Sequence, residues 1–240
     1  MIWFRFHRLA RALVCAGGIC IAVSPAGTAL AQDVAVPVTA EPNHRVRLDT
    51  GLVRIYEVQL TRGNSTAFHE HTKDSFSVLL NTTSRANEVR GGQRDIAQVK
   101  AGQVGFASTA KGPYTHRIEA TGDVPYRVVV IEVLSETNAV NATDVPRRPE
   151  PIFSTVLENS RGHAYRVVLK PGESSGMFIR PASTGIIAIT GGRTSELTDG
   201  KAPRLWDSER GNFRWTTTSE SLTLRNEGNS TVEFVEIEIR

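Results

Sequence analysis

Cysteine is almost missing from this chain: both residues, Cys15 and Cys20, fall among the first 20 positions. Downstream of them no disulfide, thiolate metal site or catalytic thiol can form. Long apolar runs are missing as well. The stretch from Ala12 to about Val23 is shorter than a bilayer span requires, and Pro25 and Gly27 follow it at once. No sustained helical periodicity appears anywhere, which argues against helical architectures. No phosphate-cradling Gly-x-x-x-x-Gly-Lys occurs, and no Gly-x-Gly-x-x-Gly opens a helix. There is no basic cluster interleaved with aromatic residues, so nucleic acid is not an expected partner.

The first residues are instead those of an export signal. Arg5, Arg8 and Arg11 precede the apolar stretch, and Ala29-Leu30-Ala31 closes it ahead of Gln32-Asp33. A basic start, a short apolar core and an Ala-x-Ala end describe a secretory signal peptide over residues 1–31. The expectation is an exported protein, periplasmic or secreted, with no stable membrane anchor after cleavage. The three leader arginines equal the formal net charge of +3. The remainder is therefore near neutral, and the high isoelectric point reflects the leader.

Residues 32–45 are rich in Ala, Val and Pro and form a flexible lead-in by composition. From Val46 short alternating runs are split by turn residues: Arg54–Leu60, Ala67–His71, Ser75–Leu80, Ile96–Val99, Gln103–Ala107 and Arg127–Leu134. Such spacing predicts an all-β sandwich or barrel. Residues 136–158 contain Pro146, Pro149 and Pro151 and read as a linker between a first unit, 46–135, and a second, 159–240. The second unit repeats the first. Tyr165 to Arg180 lies over Tyr56 to His71, and Ile186–Thr190 over Ser77–Asn81, at an offset of 109 that shrinks to 106 between Gly122 and Gly228. Two copies of one β unit are the economical reading.

Chemistry concentrates in Gly63-Asn-Ser-Thr-Ala-Phe-His69-Glu70-His71-Thr-Lys-Asp74-Ser75. Side chains alternate faces along a strand, so His69 and His71 point the same way and can form half of a metal site. His116 lies just ahead of another strand-like run and could supply a third ligand. Five histidines follow residue 31, and three of them fall in this pattern; His44 and His163 stand ahead of the two units and read as surface or strap residues. Gly172-Glu-Ser174-Ser-Gly176 fits the serine-hydrolase elbow, but that motif needs a strand-to-helix turn and a later histidine, and none follows His163.

Gly63-x5-His69-x-His71, followed by Gly102 and Pro113-x2-His116, resembles the two short motifs of the cupin superfamily. With the repeat, the chain resembles a bicupin. The resemblance implies two tandem jelly-roll (cupin-like) β-barrels, each unit of the family holding one divalent metal on two His and a Glu of the first motif and a His of the second. His69, His71 and His116 match three of these ligands. The carboxylate is expected at Ser75 or Phe76, where neither residue can serve, and Asp74 stands one position short, so it remains a doubtful fourth ligand. Three histidines and open positions suit zinc, and equally iron, manganese, copper or nickel. In the second unit Phe178 and Arg180 replace the paired histidines, and Leu222 falls near the place of His116. That unit is expected to be metal-free, its interior filled by apolar side chains, with Arg180 as an alternative anchor for a ligand carboxylate.

The sequence supports a metal-dependent enzyme acting on a small molecule, with Asp74, Glu70 and Tyr114 as candidates for handling protons. The alternative is a non-catalytic module binding a small ligand or metal, and a structural protein is a third, weaker reading. Homodimerisation through edge strands is compatible with either.

Overall fold

Runs rich in Val, Ile, Tyr and Phe, punctuated by glycine turns, leave the backbone no regular partner except a neighbouring strand. The computed structural model describes residues 34–109, 112–135 and 148–240. The leader expected over 1–31 and the linker residues 136–147 lie outside them. The first half comprises β1 (Val36–Pro37), a 3-10 turn (Val38–Ala40), β2 (His44–Asp49), β3 (Val53–Leu60), β4 (His69–His71), β5 (Ser75–Leu79), β6 (Thr83–Val89), β7 (Arg94–Val99), β8 (Val104–Ala107), β9 (Tyr114–Ala120) and β10 (Tyr126–Val133). The second comprises β11 (Phe153–Asn159), β12 (Gly162–Leu169), β13 (Ser174–Arg180), β14 (Thr184–Ala188), β15 (Gly192–Leu197), β16 (Arg204–Ser208), β17 (Phe213–Thr216), β18 (Glu220–Asn226) and β19 (Val232–Ile239).

The halves share one topology. Strand orders β2-β3-β10-β5-β8 and β4-β9-β6-β7 in the first become β11-β12-β19-β14-β17 and β13-β18-β15-β16 in the second, with β1 added beside β4. The drop in offset from 109 to 106 falls between β8 and β9, where the first half has the longer connection. Gly63 and Gly172 occupy matching turns before β4 and β13, both with positive φ (80° and 73°), which explains why glycine recurs there. Each half is two facing sheets of jelly-roll type.

Three apolar layers result. Tyr56, Val58, Leu60, Val128 and Val130 pack inside the first half, and Tyr165, Val167, Leu169, Phe178 and Leu222 inside the second. Between them Val53, Ile55, Phe76, Val78 and Ile131 meet Ala164, Ile187, Val235, Ile237 and Ile239. The sheets containing β3 and β12 are therefore buried on both faces. This is why the middle of β10, Val128-Val-Val-Ile131, is apolar on successive residues rather than alternating.

Two expected connections carry structure. Within the lead-in 32–45, Val36–Pro37 adds a parallel strand to His69–Glu70 of β4, and Val36 N donates to Phe68 O at 2.9 Å. The stretch 136–158 holds β11 from Phe153 onward, because Phe153 is buried in the second apolar core and pairs with Val167.

Candidate metal centre

The histidine site follows from strand periodicity and antiparallel register. In β4, His69 and His71 are buried and Glu70 between them is exposed. Across the ladder His69 pairs with His116 and His71 with Tyr114. Directly opposed residues share a face, so all three imidazoles enter the first-half interior. Their ligating atoms lie within 4.8 Å of one another, and His71 Nε2 is 3.1 Å from His116 Nε2. Two nitrogens each about 2.0–2.1 Å from one ion stand roughly 3 Å apart. The spacing fits a shared cation.

The outer nitrogens set the tautomers. His69 Nδ1 lies 3.0 Å from Ala67 O, and a carbonyl can only accept, so Nδ1 carries the proton and Nε2 keeps its lone pair. His116 Nδ1 donates to Asn87 Oδ1 at 2.6 Å, while Asn87 Nδ2 donates to the Tyr114 hydroxyl at 2.9 Å. Such partners orient ligands and raise their basicity. His71 Nδ1 is buried with no hydrogen-bond partner. Burial, then the neighbouring His69, lowers His71 to about 4, and burial with the surrounding imidazoles and Arg85 lowers His116 to about 2. His69 is lowered as well, chiefly by burial. At neutral pH all three are uncharged, the form that ligates metals.

The structure places the other candidates differently. Asp74 does not join the group: its Oδ1 accepts from Thr109 N (2.8 Å) and Oγ1 (3.3 Å), and its Oδ2 faces Arg161 Nε of the second half at 3.2 Å. Those donors hold the carboxylate outside the histidine cluster. Glu70 points to solvent by strand parity. Ser75 is buried on the cavity wall, and Phe76 faces the opposite way into the core between the halves. Tyr114 lines the cavity, with its ring centroid 4.7 Å from that of His116.

His44 and His163 are not surface residues. His44 lines the cavity, stacked on Tyr56 (4.6 Å) and edge-on to His69 (4.6 Å), with Nδ1 donating to Val38 O of the 3-10 turn at 3.0 Å. Burial first, then His69, lowers it to about 3. No motif marks His44; only the strap placing it reveals its role. His163 is buried on β12 beside Tyr165, with Nε2 2.9 Å from Thr155 Oγ1. The cavity enclosed by these first-half residues measures about 260 Å³, and its wall includes Arg85, Gln103 and Tyr126 together with apolar Val58, Val99, Ile118 and Val128.

The second half holds ions of its own instead of an open centre. Phe178 pairs with Leu222 in the register that His69 and His116 occupy. Arg180, offered by the sequence as an alternative anchor for a ligand carboxylate, is buried and already engaged by the protein: Nη1 meets Glu196 Oε1 at 2.5 Å, and Nη2 and Nε meet Glu236 at 2.7 and 3.1 Å. Arg148 bonds Glu236 and Glu238 as well, and its guanidinium lies 4.8–5.2 Å from the ring centroids of Phe153, Tyr165 and Phe178. These rings match His44, Tyr56 and His69 at the offset of 109. The interior is thus a buried ion network as much as an apolar core.

No family model and no curated protein sequence matches the chain. Solved structures do. AerE from Microcystis aeruginosa is 12% identical with a TM-score of 0.55, over 83% of this chain and 98% of its own. An oxalate decarboxylase from Bacillus subtilis is 12% identical with a TM-score of 0.55, over 82% and 75%. A cupin 2 conserved barrel domain protein from Leptotrichia buccalis is 11% identical with a TM-score of 0.50, over 82% and 88%. Another structure of the Bacillus enzyme, 13% identical with a TM-score of 0.52 over 82% and 75%, is described with Mn(II) centres. At these identities the likeness is one of fold: the chain shares the two-unit β fold of these cupin structures.

Proposed function

We propose that the first half binds one divalent metal ion on His69, His71 and His116, and that the chain is a metal-binding bicupin acting on, or capturing, a small molecule. The observation that carries this reading is the 3.1 Å approach of two neutral imidazole nitrogens, with the third ligating atom within 4.8 Å. Zinc, iron, manganese, copper and nickel all suit the donor set. Such an ion supplies Lewis acidity at the positions the protein leaves open. The chain's own groups do the rest. Asn87 and Ala67 O fix two imidazoles, apolar walls limit water, and the Tyr114 hydroxyl stands beside the cluster.

A second reading, capture without turnover, is favoured by the cavity wall, which among the described residues contains neither Asp nor Glu. The leader-like residues 1–31 extend the proposal to an exported protein, which cell fractionation tests. For the metal reading the test is elemental analysis of the purified protein. One equivalent is expected, lost in His71→Ala; a metal-free protein, or an unchanged content in the variant, removes the reading. Turnover that depends on His116 would remove capture alone.

A further inference from the structure

Among the described residues that line the first-half cavity, Arg85 is the one formally charged side chain, and no carboxylate of the wall opposes it. Arg85 and Asn87 lie two residues apart on β6 and share its inward face. Asn87 holds His116, so the guanidinium belongs to the same chamber as the imidazoles. Its nearest acid, the exposed Asp95, has Oδ2 4.0 Å from Nη1, too far for a hydrogen bond. Nη1 is itself buried without a partner, and among the described residues nothing hydrogen-bonds this guanidinium.

A guanidinium always carries its charge and offers five donors in a planar fork. The side chain is 23% exposed, so water meets part of its charge, but the buried Nη1 has only the distant Asp95 and would gain a hydrogen bond from an anion in the cavity. A divalent ion on three neutral imidazoles adds two further positive charges; among the described residues Glu41 is the carboxylate that acts on His69, and it already accepts from Asn43 N and Ala67 N. The site is therefore short of negative charge. Its volume of about 260 Å³ is below the roughly 300–1,000 Å³ usual for drug-sized ligands. The wall offers the hydrocarbon of Val58, Val99, Ile118 and Val128 to an organic body, contacts that an inorganic phosphate cannot use.

The geometry points to a small organic acid, bound as its carboxylate, as the ligand of this cavity, with Arg85 as the residue that selects it. This rests on the metal-binding reading and names the ligand class for that site. The test combines elemental analysis with calorimetric titration of the metal-loaded wild type, Arg85→Gln and Arg85→Lys. Benzoate and malonate are the probes, with uncharged benzamide and inorganic phosphate as controls. All three proteins should hold one metal equivalent. At least one carboxylate should bind the wild type and bind Arg85→Gln at least tenfold more weakly, with Arg85→Lys between them. Benzamide should not distinguish the proteins.

Equal carboxylate affinity in wild type and Arg85→Gln, no carboxylate binding at all, or stronger binding of phosphate would overturn the assignment. With metal content intact, any of these leaves the metal reading standing; a metal-free wild type removes both. Should Arg85→Gln fail to fold, Arg85→Lys decides, because it keeps the charge without the fork. Weakened affinity supports the assignment and unchanged affinity overturns it.

Discussion

Asn87 shows how one neutral side chain orients the histidine cluster. Its Oδ1 accepts a hydrogen bond from His116 Nδ1 at 2.6 Å, and its Nδ2 donates to Tyr114. Removing the amide leaves His116 free to rotate or to exchange tautomers. Asn87→Ala should therefore weaken metal affinity by about 10–100-fold while the fold survives. A competition titration against a chromophoric chelator, with circular dichroism as the folding check, measures both. The three ligating histidines are legible from spacing alone, because period two and antiparallel register are enough to bring them together. Asp74 is not, because its position is decided by Thr109 and Arg161, contacts that strand parity does not describe. Arg85 and His44 carry no motif, and a sequence presents them as one arginine and one histidine among others.

At the scale of the element, β19 is the instructive strand. Its alternation Val232-Glu-Phe-Val-Glu-Ile-Glu-Ile239 suggests carboxylates turned to water. Yet Glu236 is fully buried, because one face of the strand packs against the first half and the other faces the interior containing Arg180 and Arg148. Burial alone would raise the Glu236 carboxyl, but the two guanidinium groups outweigh it and lower it to about 2. A carboxylate lowered in the folded state stabilises above its unfolded value. That contribution is therefore full above about pH 4.5 and is lost as pH falls through about 2. Glu236→Gln should destabilise by about 3–5 kcal/mol in urea unfolding at pH 7, since it leaves the buried Arg180 and Arg148 with one carboxylate each, Glu196 and Glu238. The deficit relative to wild type should shrink below pH 4. Gly162 on β12 gives a separate test. A Cβ there would meet Glu238 O at 2.6 Å and Phe76 Cζ at 2.8 Å, so Gly162→Ala should cost about 1–3 kcal/mol in the same assay.

At the scale of the molecule the two halves form one compact body. Ile131 and Phe76 of one half share an apolar layer with Ile187 and Val235 of the other, and Arg210 Nη1 reaches Asn81 Oδ1 at 3.0 Å across the boundary. Splitting the layer would expose its residues to water. Urea unfolding followed by tryptophan fluorescence and by far-ultraviolet circular dichroism should give coincident single transitions. Two separated transitions would show independent halves. Trp206 and Trp215 lie in the second half, whereas backbone ellipticity samples both, so the comparison is informative. The duplication is visible in the offset of 109, but its joint core is not, because a sequence repeat says nothing about which faces meet.

The arginine–glutamate interior of the trailing half has a further consequence for stoichiometry. With Phe178, Arg180 and Leu222 where the leading half has two histidines and a tyrosine-flanked third, the pseudo-symmetry of the backbone ends at the side chains. A titration should accordingly saturate at a single equivalent along a hyperbola, without the sigmoid that twin vacancies could generate.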